Sequence, residues 1–394
     1  MTNQDFKSIS IANPHPPSLD LLQKVSTGIG MIGLLIFSIA LFGVELTNPI
    51  LWLSLSLLCI TVGVLGFTYG VYSKKLPGIK NDGVWFGSLT NKGVLAWMAG
   101  IIITGFYILL YWFPHLLGHQ SEGTNTGLVA LFDPLSMAIK GKAASQWFVY
   151  GSLYTLAILI LGVKFLWKYR GNKYQIWRTI SVMFFQLIFA FLLPELMEKL
   201  NMPSMDLKYL WPLNYYFFFD WNLDKLIQGG NFGLFLFIWG LVLFLVISPI
   251  LTYFFGKRWY CSWVCGCGGL AETAGDPFRH LSSKKLYAWK IERWLIHAIL
   301  IFIFIVTLLV IYTYVTGNSQ ILFLNSYQIR EWYGFYIGAA FSGVIGVGFY
   351  PLLGSRVWCR FGCPAAAILG IQQKFFSKFR ITTNGGQCIS CGNC

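Results

Sequence analysis

Gly256-Lys257-Arg258-Trp259-Tyr260-Cys261-Ser262-Trp263-Val264-Cys265-Gly266 recurs, without a gap and 98 residues later, as Gly354-Ser355-Arg356-Val357-Trp358-Cys359-Arg360-Phe361-Gly362-Cys363-Pro364. Both copies read G-x-R-x-aromatic-C-x-aromatic-x-C. Each follows a long apolar segment with a proline near its end, Pro249 in one and Pro351 in the other. Such self-similarity argues for two copies of one supersecondary module. The unit is a helix leaving the membrane, an interfacial arginine and aromatic, and then a cysteine pair.

The apolar segments around the repeat set the fold class. Hydrophobic residues make up 56% of the 394 and charged residues only 11%, a composition that excludes an ordinary soluble enzyme. Runs of about 18 or more largely uncharged apolar residues read as transmembrane helices. Eight are expected: 27–46, 50–72, 94–113, 147–167, 180–197, 232–255, 294–315 and 333–353. The fifth is interrupted at its far end by Pro194 and Glu195. The first 26 residues are polar and show no signal-peptide pattern. The expected class is thus an all-α polytopic membrane protein with a cysteine-rich loop and the start of a ferredoxin-like segment.

Charge distribution predicts orientation. With eight spans, both termini and the loops after spans two, four and six share one side, which holds 23 Lys/Arg and 6 Asp/Glu against 6 and 9 on the other. The positive-inside rule then places both termini in the cytoplasm of an inner-membrane protein. The expected division is a cytoplasmic tail 1–26, a six-helix region 27–255, a cytoplasmic cysteine loop 256–292, a two-helix hairpin 293–353 and a cytoplasmic segment 354–394. The net charge of +14 is mainly a topology signal. No basic patch on a soluble domain points to nucleic acid, and membrane lipid is the expected surround.

Eight of the nine cysteines fall on that side. Cytoplasmic thiols are held reduced, so clustered cysteines there point to metal or redox chemistry rather than structural disulfides. Cysteines four apart on a helix share one face, with Cβ atoms roughly 5–6 Å apart. Two such pairs supply four thiolates, so Cys261, Cys265, Cys359 and Cys363 are read as iron–sulfur ligands, with a single shared cluster as one arrangement and the number of clusters left open. A zinc site and a thiol–disulfide switch are the alternatives, and Cys267 is a spare candidate. Arg258, Arg356 and Arg360 would favour thiolates or serve as topogenic charges. The neighbouring aromatics fit an interfacial belt or a water-excluding shell.

A third group lies at Cys388-Ile389-Ser390-Cys391-Gly392-Asn393-Cys394. Its C-x2-C-x2-C spacing is most of the C-x2-C-x2-C-x3-C-P run that wraps a [4Fe-4S] cube. The fourth ligand would fall at position 398, so a chain cut inside its ferredoxin segment is expected. Cross-ligation by Cys363, which precedes Pro364, is the other reading.

Other candidates weigh less. Cys59 reads as a small hydrophobe inside span two. His115 and His119 lack a third ligand, and His297 is the only histidine inside a span, which disfavours bis-histidine haem. Lys164 and Glu195 sit near span ends, where they can snorkel. The aromatic stretch from Trp211 to Trp221 is expected along the outer membrane surface, with a quinone pocket as a secondary idea. There is no G-x-G-x-x-G fingerprint and no P-loop.

With the repeated C-x3-C after membrane helices and then a ferredoxin run, the chain resembles the membrane-bound polyferredoxin-like family. That family takes in the quinol-dehydrogenase-type membrane ferredoxins of periplasmic nitrate reduction, the membrane electron donors of nitrous-oxide reduction, and ferredoxin-like assembly factors of cytochrome oxidases. The resemblance is specific over 256–394 and loose over the first five spans. Members typically carry C-x3-C-P at both positions. Cys359 to Pro364 matches, whereas the first copy has Gly266 in place of proline and adds Cys267. The resemblance implies one-electron transfer through [4Fe-4S] clusters, from quinol or a cytoplasmic donor to a respiratory acceptor, with a redox partner protein. Whether the chain itself oxidises quinol is left open. The alternative function is a redox-sensing or metal-handling assembly factor, in which Cys265 and Cys267 pass copper.

Overall fold

The computed structural model describes residues 19–44, 46–73, 87–120, 123–321 and 324–379. Among them seven helices are long and apolar enough to cross a membrane. These are α1 (Leu21–Leu41), α2 (Pro49–Tyr72), α3 (Val94–Trp112), α4 (Gln146–Lys168), α5 (Lys173–Lys199), α6 (Gly230–Phe255) and, after two short helices, the 31-residue α9 (Leu286–Thr316). Their outward faces carry exposed Ile, Leu, Phe and Trp side chains, as lipid-facing helices do. The protein is an all-α, multi-pass membrane protein, and its sheet content among the described residues is one two-residue pair, Gln320–Ile321 with Leu324–Asn325.

Small residues set the closest helix approach. Gly30 of α1 faces Gly63 of α2, and the Ser56 hydroxyl donates to the Gly33 carbonyl at 2.8 Å. With no hydrophobic drive between helices in lipid, such backbone contact supplies the packing.

The eighth expected span departs from a regular helix. It opens at Ser326–Trp332, widens into π-helical turns over Tyr333–Ile345 and closes at Tyr350–Leu353; together these form α10. Gly334, Gly338, Gly343, Gly346 and Gly348 thin its side chains, and Tyr215, Tyr107 and Tyr111 press against three of these glycines. Phe185–Leu192 of α5 and Leu243–Ile247 of α6 are π-helical as well, and such wide turns recur at functional sites in other helices.

Between α6 and α9 the chain folds back among the spans as a helical hairpin. Short α7 (Arg258–Trp263) carries Cys261, and α8 (Gly266–Thr273) starts at Cys265. After α10 the second copy repeats the device: α11 (Trp358–Gly362, π-helical) carries Cys359, and α12 (Pro364–Phe376) starts at Cys363. Depth follows from neighbours. Gly266 abuts Gln186, the central residue of α5, and Tyr154 of α4. Cys265 packs in one group with Leu243, near the middle of α6. Gly362 abuts Phe341 within α10. Both tips therefore stand level with the middle of the spans.

Each hairpin is entered through a glycine that other residues cannot replace. Gly256 has φ 74° and ψ 173°, and Gly354 has φ 91° and ψ 168°, a region open essentially to glycine alone. At Gly354 a Cβ would also meet the Ser282 backbone nitrogen at 2.7 Å. Gly354→Ala is expected to cost about 1–3 kcal/mol from backbone strain, read as a lower apparent melting temperature in detergent.

The aromatic stretch after α5 does not lie along a surface. Leu210, Trp211, Phe217 and Phe219 are buried. Trp211 packs edge-on to Phe244 at 4.7 Å and Phe304 at 4.9 Å, near the middles of α6 and α9. The segment dips in from the face opposite to that of the two hairpins, because burying so many aromatic rings outweighs leaving them at an interface.

Candidate metal centre

The two hairpin tips meet. Cys267 and Leu213 belong both to the packed group around Cys265 and to the group around Cys363 and Cys359. Cys261, Cys265, Cys359 and Cys363 all lie within electrostatic reach of one another. The structure thus gathers all four cysteines of the repeat, and Cys267 with them. Cys388, Cys391 and Cys394 lie outside the described residues.

Local backbone explains the aim of two of these thiols. Cys265 and Cys363 occupy the N-cap positions of α8 and α12, with extended φ/ψ of −72°/126° and −79°/109°. Backbone N–H groups of Cys267 and Gly268 point at the Cys265 sulfur, and that of Ala366 at Cys363. A helix N-terminus offers unpaired N–H donors and roughly half a positive charge to an anion. Cys261 and Cys359 sit one turn earlier, nearer the arginine-bearing face. Tyr260, Trp358, Phe341, Leu243 and Leu369 enclose the group.

The donor set fits a multinuclear iron–sulfur group. The cysteines among the described residues are free thiols. The Cys267 thiol donates a hydrogen bond to the Cys265 sulfur. Among the described residues no three His, Cys, Asp or Glu side chains converge tightly enough to hold a single metal ion. Four thiols from the two hairpins, closed off from water by the aromatic shell, offer the all-sulfur donor set of a [4Fe-4S] cube.

Charge is arranged on both sides of the group. Arg258 and Arg356 act on Cys261 and Cys359. Glu272, at the end of α8, is held by Arg178 at 2.9 Å and also by Arg279 and by Arg356 of the second hairpin. It therefore ties the hairpins together. Asp276 receives Lys168 at 2.8 Å, Lys164 at 3.6 Å and Arg279 at 3.4 Å. Burial works to raise this carboxyl, but Lys164 and Lys168 hold it below its usual value. Arg360 donates twice to Glu292, at 2.7 and 2.9 Å. On the opposite side Lys208, its side chain 3% exposed, pairs with Asp206 at 3.2 Å. The Tyr260 hydroxyl donates to the Lys208 carbonyl at 2.9 Å.

Other sequence candidates stand apart. His297 Nδ1 meets the carbonyl of Arg293 on its own helix at 2.6 Å. His115 lies beside the Phe113 ring, and Cys59 is distant in sequence and isolated on α2. Lys164 does not snorkel but is buried against Asp276, and Glu195 meets Lys140 at 3.5 Å. Sequence reasoning missed Glu272, Asp276 and Lys208. Lys208 reads as one more charge of an outer loop, and its only cue is the aromatic company of Tyr209 and Trp211.

Comparison with known proteins agrees with this geometry. A 4Fe-4S binding domain family matches residues 236–286 and 336–382, which are the two copies of the repeat with the helix ends that precede them. Each matched segment carries one cysteine pair of the repeat, and the cofactor that such a domain binds is the [4Fe-4S] cluster. A curated relative, the "Putative electron transport protein YccM" of Escherichia coli (strain K12), is 28% identical over 166 residues, which is 39% of this chain and 43% of that protein. The matched part is thus less than half of the relative's length. No solved structure matches the chain.

Proposed function

We propose that Cys261, Cys265, Cys359 and Cys363 together hold one [4Fe-4S] cluster midway through the membrane, and that the chain relays single electrons through it. The observation that carries this reading is the meeting of the two hairpin tips at mid-depth, each presenting a cysteine at a helix N-terminus. When bound, the cluster supplies reversible one-electron storage. The protein residues do the rest. Four thiolates anchor the group, two helix ends and the flanking cations offset its net negative charge, and the aromatic shell excludes water.

Depth gives the arrangement its use. A hydrocarbon core of about 30 Å is long for one electron step, and a centre at mid-depth divides it in two. In this proposal the terminal run Cys388, Cys391 and Cys394 holds a second cluster at the cytoplasmic face of the inner membrane. Electrons then pass between it, or the quinone pool, and an acceptor reached through the membrane. Both termini are cytoplasmic in this scheme, as the 23-to-6 split of basic residues supports. Copper handling by Cys265 and Cys267 finds less support, because the second copy of the repeat has Ala365 where the first has Cys267, whereas the four paired cysteines occur in both.

Anaerobic purification, iron and acid-labile sulfide assay, and EPR after dithionite test the reading. A reduced [4Fe-4S] signal that quinol or a cytoplasmic donor also generates is expected. Absence of iron and sulfide would sink it.

A further inference from the structure

We propose that Lys208 sets the reduction potential of the four-cysteine centre, as a buried cation beside the packed group of Cys265; this rests on the ligand assignment above. Lys208 belongs to the segment between α5 and α6, which starts on the face opposite the arginines. Its ammonium group is nonetheless buried, paired with Asp206 at 3.2 Å and lying over the Tyr209 ring at 4.8 Å. The backbone holds it there. The Tyr260 hydroxyl donates to the Lys208 carbonyl at 2.9 Å and accepts from the Leu210 N–H at 3.4 Å. Tyr260 immediately precedes Cys261, and Leu210 and Leu213 pack in the same groups as Cys265 and Cys267. The loop from one face is thereby bonded to the hairpin from the other.

A buried lysine is costly unless its charge is used. A Lys–Asp pair needed only to close a loop could stay at the interface at far lower cost. Here it is buried beside the first hairpin, with its carbonyl bonded to Tyr260 and with Leu210, two residues on, packed against Cys265. Arg258 and Arg356, by contrast, belong to the two copies of the repeat themselves. Reduction adds one electron, from dithionite in the test or from the partner in the relay, to an already anionic group. A cation on the buried side stabilises the reduced form selectively. Asp206 tempers the effect.

The test is a redox titration of the full chain, purified anaerobically and followed by EPR, with iron per chain measured in parallel. Lys208→Met is expected to keep its iron and to lower the midpoint. At the ambient potential where the parent is half reduced, the reduced-to-oxidised ratio should fall by about tenfold or more. Lys208→Arg should stay near the parent, and Asp206→Asn should move the midpoint upward. A purely structural role would shift neither value, or both in one direction. An unchanged midpoint in Lys208→Met with iron retained would overturn the proposal. If that variant does not accumulate, Asp206→Asn decides alone: an upward shift supports the proposal, and no shift or a downward one overturns it. Loss of iron in cysteine variants concerns the ligand assignment and is read separately.

Discussion

Cys265→Ser, made in the full chain, is expected to lose about one cluster's worth of iron, roughly four atoms per chain, while the protein still inserts in the membrane. The thiol is buried and capped by backbone N–H groups at the start of α8. A serine hydroxyl fits the space but does not give up its proton at neutral pH, so one corner of the cube loses its anchor. Cys363→Ser should behave alike, since Cys363 occupies the same position on α12. Cys267→Ser is the informative contrast. In the second copy Ala365 stands at the corresponding place, so Cys267 is expected to serve as a hydrogen-bond donor to Cys265 rather than as a ligand, and its variant should retain iron. Iron and sulfide analysis beside a membrane-fraction blot checks all three. Full iron in both Cys265→Ser and Cys363→Ser would argue that only the terminal run binds metal.

Glu272→Gln should be the most damaging single change outside the cysteines. Its carboxylate, 8% exposed, accepts Arg178, Arg279 and Arg356 together. The amide keeps the shape but leaves Arg178 and Arg356 without this counter-charge, while Arg279 keeps Asp276 at 3.4 Å. Breaking a buried ion pair from one side costs about 3–5 kcal/mol. The lower end is expected here, because Arg279 and Arg356 retain 28% and 23% exposure and are partly screened by water. The change also unties the second hairpin from the first, so cluster content should fall along with stability. Tryptophan-fluorescence melting in detergent measures the first effect and iron assay the second. A parent-like melting temperature would show that the hairpins are held by packing alone.

How far the sequence reaches can be judged from particular residues. The repeat was visible because its chemistry is written at fixed spacing, and the structure brings its four cysteines together. Long apolar runs gave the spans, since length and hydropathy suffice where every backbone group must be satisfied internally. Hydropathy failed where the outcome depends on packing. The run 333–353 is apolar enough, yet Tyr333–Ile345 is wound in π turns, as are Phe185–Leu192 and Leu243–Ile247, which hydropathy does not register. The Trp211–Trp221 stretch carries an interfacial composition, but the rings find partners on α6 and α9 inside the bundle. Depth of the hairpins was illegible for a related reason. A hairpin of Gly266, Gly268 and Gly269, with Gly268 packed on the Cys261 carbonyl and Gly269 on Val182 and Ile158, resembles a loop by composition. Its place is fixed by close backbone approach to other spans.

The most direct test of the central claim removes the terminal run from consideration. The full chain with Cys388→Ser, Cys391→Ser and Cys394→Ser should be purified anaerobically and assayed for iron, sulfide and a dithionite-induced EPR signal. About four irons and four sulfides per chain, with the signal of one reduced [4Fe-4S] cluster, are predicted from the two hairpins alone. A protein that inserts normally yet carries no iron would contradict the account.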